Sequence, residues 1–451
     1  MVQRIDASIL IERQKRNAFL AGMIVMICLT AFLEGFDAQI QGYTAPAIIK
    51  LWHIDQASFS PVFVSFQFAL LAGAVTLGNL GDIYGRRPVI VGCVALFGIF
   101  TAAGALAHNV PELAATRFAS AIFLGGAMPN AIALTVDYAP QGKRAFRVGI
   151  LYVVYATGGS LGGFLSAWAV PALGWQSIYW LCGAVALAYS ALLYLFLPES
   201  IRHMILKGRS PAKVARLAGR LDPALAGVDA EFVLPRSVLR KAWVGELFAE
   251  KRAMMTVLLW AAYVSNMLAL QFNTAWMPTI FASAGFSYSK SVVATSLFQG
   301  GGALGSLSIG WLMDREKGLL RLCVLGVIAA PIFLVIGHSA GQAGLLMLLA
   351  SMVGFCIIGS QTGINATAGF LYPTALRATG VGWAYGVGRI GSITGPILGA
   401  ALLSLHVSFP TMFMVAAIPP LLVSLFMFGV YVTQRGRHRP SLESLNVEPA
   451  G

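Results

Sequence analysis

The 451 residues are 57% hydrophobic and only 11% charged, with 49 Gly and a mean hydropathy of +0.76. Soluble domains carry about 25% charged residues, so a soluble fold is excluded and an all-α polytopic membrane protein is indicated. A net charge of +13 would suggest nucleic-acid binding in a soluble chain; in a membrane chain it must first be assigned to the two sides of the bilayer.

Twelve apolar segments are expected to cross as helices, centred near residues 33, 69, 98, 123, 159, 186, 267, 300, 329, 355, 390 and 420. The first follows Arg13, Lys15 and Arg16 but is too long, and too polar at its far end, to be a cleaved signal. It contains Glu34 and Asp37, which share a helical face at spacing i, i+3. An ionised acid at the bilayer centre costs roughly 2.5–3.5 kcal/mol, so such residues face a protein cavity and usually have a function. Two readings stand side by side: proton or substrate handling in a carrier, and a fixed pair with a buried basic residue. In the fourth segment Arg117 lies at a depth comparable to these acids, counted at about 1.5 Å per residue. It can neutralise one of them, either as part of proton coupling or as a permanent ion pair.

Between the sixth and seventh segments, residues 198–251 form the only long polar stretch. This divides the chain into an N-terminal half (1–197), a linker (198–251), a C-terminal half (252–434) and a tail (435–451). In the second half the intramembrane polar and aromatic residues are Asn273 and Trp276 (seventh segment), Gln299 (eighth), Gln361 and Asn365 (tenth), and Trp383, Tyr385 and Arg389 (eleventh). A lone guanidinium near the midplane is costly, and its fork suits a carboxylate. Arg389 is therefore the expected anion-binding group, with a brace to an acid of another helix as the alternative. Around it, Tyr385, Trp383 and Trp276 offer aromatic faces, while Gln41, Asn273, Gln299, Gln361 and Asn365 offer amide hydrogen-bonding groups.

All Lys and Arg except Lys50, Arg117, Lys290 and Arg389 fall on the side of the N-terminus. The positive-inside bias then places both termini and the linker in the cytoplasm, and nucleic acid is not implied. The five Cys lie in apolar segments without metal-ligand spacing, and no GxxxxGK[ST] phosphate loop or nucleophile–base set is present. The expectation is a non-enzyme with no cofactor and no metal, driven by a gradient.

The two halves repeat. At an offset of 232–233 residues Pro46 falls on Pro278, Gly78 on Gly310, Asp82 on Asp314, Arg144 on Arg377, Gly158 on Gly391 and Gly162 on Gly395. Duplicated six-helix halves with a site between them are a carrier architecture.

Within this frame, Gly78-Asn-Leu-Gly-Asp82-Ile-Tyr-Gly85-Arg86-Arg87 resembles the signature loop of the major facilitator superfamily. GWLMDR, with Asp314 and Arg315, looks like its degenerate copy, and PESIR and LYPTALR (ending at Arg377) are further shared marks. As a gate, the loop needs Gly for a tight turn, while its Asp can accept from a neighbouring helix N-terminus. The finer resemblance is to the aromatic acid:proton symporter family. It rests on EGFDAQIQGYTAPAI, GGAMPNAIALTVDYAP, SLFQGGGALGSLSIGWLMDR and NATAGFLYPTALRATGVGWAYGVGRIGSITGP, and spans about residues 17–432. Two departures are visible: Glu34 replaces that family's usual first Asp, and Gln39 and Gln41 occupy positions commonly small or apolar.

The resemblance implies the major facilitator fold and alternating-access import of an aromatic carboxylate of hydroxy- or methoxybenzoate type, with protons, as a monomer in a bacterial inner membrane. The alternatives sharing these marks are a symporter of a non-aromatic anion such as a diene dicarboxylate, and a proton-driven efflux pump. A non-transporting receptor on the same scaffold is a further possibility that the helix-1 acids argue against.

Overall fold

The computed structural model describes residues 3–13, 17–208, 211–222, 225, 230–233, 243–249, 252–313, 318–339 and 341–437. Its frame is twelve helices long and apolar enough to cross a membrane. In hydrocarbon every backbone N–H and C=O must be satisfied within its own segment, which leaves the helix as the form these apolar runs adopt. In chain order they are α1 (Ala18–Trp52), α2 (Ser60–Tyr84), α3 (Arg86–Gly104), α4 (Val110–Asp137), α5 (Arg144–Leu173) and α6 (Gln176–Phe196) in the first half. The second half holds α7 (Ala253–Ser283), α8 (Tyr288–Met313), α9 (Gly318–His338), α10 (Ala343–Leu371), α11 (Thr374–Ser404) and α12, which runs Phe409–Ala416 and continues as Ile418–Arg437. The protein is thus a multi-pass membrane protein of two six-helix halves.

Packing repeats with the sequence offset. α1 runs along α5 and α2 along α4 in the first half, as α7 runs along α11 and α8 along α10 in the second. The repeated glycines are the contact points. A Cβ on Gly158 would meet the backbone O of Phe32 at 2.1 Å, and one on Gly391 would meet that of Val264 at 2.0 Å. Gly73 against Ile122 and Gly305 against Phe355 form a second such pair. Backbones approach this closely only where no side chain intervenes.

The halves meet along α5–α8 and α2–α11, a symmetric pair of interfaces, and along α1–α7. Most of their mutual hydrogen bonds among the described residues gather at the face opposite the termini, called distal below, while Ser160 of α5 donates to the backbone O of Ser296 on α8 deeper in the interface (2.8 Å). Tyr288 donates to the backbone O of Tyr43 (2.9 Å), Ser289 to that of Ala167 (2.8 Å), and Gln56 Nε2 to Ser283 Oγ (2.8 Å). The ring of Phe63 meets Trp276 edge-on at 5.0 Å.

On the proximal face the structure adds elements to the all-α frame. Strand β1 (Gln3–Asp6) pairs in parallel with β2 (Ala230–Val233) from the linker. The amphipathic linker helix Pro211–Leu221 buries Val214, Leu217, Ala218 and Leu221 against the first half. Asn17 ties it down: its Oδ1 caps α1 at the N–H of Leu20, while its Nδ2 donates to the backbone O of Arg220 and Leu221. Most of the rest of the linker, and of the tail, lies outside the described residues.

Candidate functional site

Asp37 and Arg117 face each other inside the first half, and neither side chain has any exposed surface. The guanidinium grips the carboxylate with both arms, Nη1 to Oδ1 and Nη2 to Oδ2, each at 3.0 Å, and Nη2 also donates to the backbone O of Asp37 at 2.8 Å. Thr101 on α3 donates to Oδ1 at 2.6 Å and stands 2.9 Å from Ser120 on α4. The Cys182 thiol of α6 lies 3.8 Å from the same oxygen. The Arg117 guanidinium also sits over the rings of Phe66 (4.8 Å) and Tyr179 (5.8 Å). Five helices thus close around an ion pair whose charges are matched and whose carboxylate oxygens are occupied.

One turn before Asp37, Glu34 is differently placed. It is buried at the middle of α1, and its Oε2 has no hydrogen-bond partner among the described residues. The charges acting on it are Asp37 and, from the other half, Arg389. The two acids share a side of α1 in sequence terms, yet only Asp37 is saturated.

Arg389 lies midway along α11, half-buried, with Nη2 donating to the Tyr385 hydroxyl at 3.0 Å and its guanidinium 4.9 Å over the same ring. Among the described residues it forms no ion pair. Tyr385 therefore orients the guanidinium without neutralising it.

The other expected ligands separate into groups. On α7 and α10, Asn266 donates to Gln361 Oε1 (2.8 Å), Gln361 Nε2 to Asn365 Oδ1 (3.0 Å), and Tyr263 to that same Oδ1 (2.8 Å). This chain of amides leaves the Asn365 amino group, among the described residues, as its unengaged end. Trp276 belongs to the distal seal, donating to the backbone O of Pro396 at 2.9 Å behind Phe63. Asn273 donates to Ala269 of its own helix, and Gln299 is buried against Gly159 of α5. Trp383 stands apart from Arg389's surroundings: it stacks on Trp260 at 6.2 Å and is half-exposed.

Between the halves lies a recess of about 390 Å³ of atom-free space, counting its open mouth. Gln41 lines it, and so do Gln39, Gln67, Tyr155, Gln271 and Thr274, which sequence reasoning did not place in a site. The available signal for Gln67 is a single amide inside the apolar run VFVSFQFALL.

At the proximal face the signature loop is held by α6. Gly85 has φ 116°, a backbone that side chains rarely adopt, and a Cβ there would also strike Glu199 Oε2 at 2.3 Å. Glu199 of PESIR, rather than Asp82, accepts from the N-terminus of α3, at the N–H groups of Arg86 (2.9 Å) and Arg87 (3.4 Å). Asp82 instead pairs with Arg86 at 2.7 Å, and Arg86 reaches Asp137 at 3.5 Å. Arg87 also donates to the backbone O of Tyr194. Gly78 packs on Pro129, which lets α2 lie close to α4. In the second half Arg377 is exposed at the start of α11, whereas Asp314 and Arg315 lie outside the described residues.

Comparison with known proteins identifies the family. The 4-hydroxybenzoate transporter PcaK of Acinetobacter baylyi is 35% identical over 90% of this chain and 90% of its own length. The gallate transporter of Pseudomonas putida is 33% identical, with 92% of each chain covered. The 3-(3-hydroxy-phenyl)propionate transporter of Escherichia coli is 32% identical, covering 92% of this chain and 95% of its own. Among solved structures, a bacterial homologue of the human lysosomal transporter Spinster, inward-facing and unoccupied, superposes with a TM-score of 0.74 at 16% identity, over 95% of this chain and all of that one. The family model described as Major Facilitator Superfamily matches residues 27–396. The chain belongs to the major facilitator superfamily and is a transporter rather than an enzyme.

Proposed function

We propose that the protein imports an aromatic carboxylate together with protons, by alternating access, across a bacterial inner membrane with both termini in the cytoplasm. The observation that carries this reading is Arg389: a mid-membrane guanidinium, oriented by Tyr385 and free of any ion pair among the described residues, across the interface from Glu34. A cation held in low dielectric with no carboxylate in direct contact is suited to a carboxylate that brings one. The relatives named as transporters of 4-hydroxybenzoate and gallate supply the aromatic class. The side on which Lys and Arg accumulate supplies the orientation, which makes the distal seal the periplasmic gate.

Coupling follows from charge balance. With the site empty, Glu34 and Arg389 offset each other across the halves. A substrate carboxylate on Arg389 takes that counter-charge away, and a proton on Glu34 restores neutrality. Anion and proton thus occupy the site together, and the halves rock around a charge-balanced load. The energy comes from the proton gradient, with no cofactor. The Asp37–Arg117 pair, whose carboxylate oxygens are already occupied, braces the first half while this happens. One substrate-bound protomer contains every group the cycle uses, which supports a monomeric carrier. Asn365, at the end of its amide chain, and Gln299 and Asn273 at the interface remain the ring-side candidates of the second half.

The test uses purified protein in proteoliposomes and 4-hydroxybenzoate. An imposed proton gradient should drive its accumulation, and Arg389→Lys should weaken binding while Arg389→Ala weakens it more, by about 2–5 kcal/mol as for a truncated buried charge pair. The methyl ester of the same acid should bind poorly to wild type and respond little to either change. Equal losses for acid and ester would make Arg389 a brace and move the anion site elsewhere.

A further inference from the structure

The recess beneath the α1–α7 crossing contains three polar atoms that the fold leaves without partners. Gln41 Oε1, Gln67 Oε1 and Thr274 Oγ1 are buried and accept or donate no hydrogen bond among the described residues. Their residues are only 4%, 5% and 7% exposed, and all three line the same recess. Such atoms are uncommon because each forfeits the hydrogen bonds it had in water. Three in one cavity, on three helices from both halves, amount to a site built for a ligand that supplies hydrogen bonds.

Position and walls narrow that ligand. The ceiling is the crossing itself, where a Cβ on Gly42 would come within 2.5 Å of the Thr274 backbone O. Phe63, Phe66 and Tyr155 give the recess aromatic sides. Along α1, Gln41 lies two turns distal to Glu34, and along α11 the lining residue Pro396 lies two turns distal to Arg389, about 10 Å in each case. A flat molecule with its carboxylate on Arg389 therefore directs its far edge into the recess.

We infer that this recess is the subsite for a hydroxylated ring edge, in which Gln41, Gln67 and Thr274 receive ring hydroxyl groups and make the carrier selective for hydroxybenzoates over unsubstituted benzoate. The inference rests on the aromatic-carboxylate reading above and names its substrate class. A benzoate C–H reaching these oxygens would leave them desolvated and unpaired, whereas a hydroxyl donates to one and accepts from another. Two glutamines and a threonine on three helices suit adjacent hydroxyls better than a single one.

The experiment compares benzoate, 4-hydroxybenzoate and 3,4-dihydroxybenzoate as ligands of the purified full-length protein by titration calorimetry. Wild type should bind more tightly with each hydroxyl, by roughly tenfold per group. Gln67→Met and Thr274→Val should each shrink the preference for 3,4-dihydroxybenzoate over benzoate by about tenfold. Thr274→Val changes shape so little that it serves even if Gln67→Met folds poorly. A wild type that binds benzoate as tightly as its hydroxylated relatives, or a preference untouched in both variants, overturns the subsite while leaving aromatic-acid transport standing. Failure of all three acids to bind wild type removes the functional reading itself, and the subsite with it.

Discussion

Asp37→Asn and Glu34→Gln make the same chemical change one turn apart, and the structure gives them different consequences. Asn at 37 removes one arm of the pair and leaves Arg117 charged, buried and uncompensated. Breaking a buried pair from one side costs about 3–5 kcal/mol, so Asp37→Asn should lower the melting temperature markedly. Replacing Arg117 by Met in the same protein should recover part of the loss. Glu34→Gln removes a charge whose Oε2 has no hydrogen bond to lose, and its melting temperature should stay close to wild type. Its transport should split: substrate exchange persists, while accumulation driven by a proton gradient disappears. Thermal melts and paired exchange and accumulation assays in proteoliposomes check both variants. Uphill accumulation by Glu34→Gln would return the proton to Asp37.

Sequence reasoning found both acids, Arg117 and Arg389, because a charge in an apolar run is visible without a structure. It could not rank the acids. What separates them is Thr101, 64 residues from Asp37, and Cys182, 145 residues away, which close around one carboxylate and not the other. Trp383 is the opposite case. An aromatic six residues before Arg389 on the same helix looks like a ring platform, but position along α11 says nothing about Trp260 of α7, on which it stacks.

At the scale of elements, the repeat was legible because glycine marks contacts that no other residue permits. The repeat that carries Gly158 to Gly391 at an offset of 233 carries Phe32 to Val264 at 232, the residues whose backbones they touch. A methyl group would lie only 2.1 Å from the partner oxygen at Gly158 and 2.0 Å from it at Gly391, far inside van der Waals contact. Gly158→Ala and Gly391→Ala should therefore each lower the melting temperature, by at least the 1–3 kcal/mol typical of overpacking. Gly92, in the interior of α3, has nothing within 4 Å of its Cβ position. There Gly→Ala should be neutral or stabilise the helix by up to about 1 kcal/mol. Destabilisation at Gly92 equal to that at Gly391 would show that helix propensity, not helix contact, sets these positions. The proximal loop was legible as a motif but not as a network, since the partner of the α3 N-terminus comes from Glu199, after α6. The β1–β2 pair has no sequence signal of its own: each strand is four residues long, and the partner lies far along the chain.

For the whole molecule, the distribution of contacts between halves is the mechanical statement. The bonds Tyr288–Tyr43, Ser289–Ala167 and Gln56–Ser283 lie at the distal face, with Trp276 and Phe63 just beneath them. Alternating access requires these contacts to part so that substrate can enter from that side. Gln56 and Ser283 are the convenient handle, because their side chains already touch at 2.8 Å from opposite halves and lie outside the recess. Cysteines at both positions, joined by a short bifunctional thiol reagent, should hold the distal gate shut. The joined protein should still bind 4-hydroxybenzoate from the proximal side with near wild-type affinity, since Arg389 and the recess are untouched. Its transport in either direction should cease, and cleavage of a reducible linker should restore it. Each single-cysteine variant treated with the same reagent should transport normally, which also controls for the five native thiols, four of them buried. Undiminished transport in the joined protein would mean that substrate crosses without parting the distal ends, and the rocking of two rigid halves would have to be abandoned.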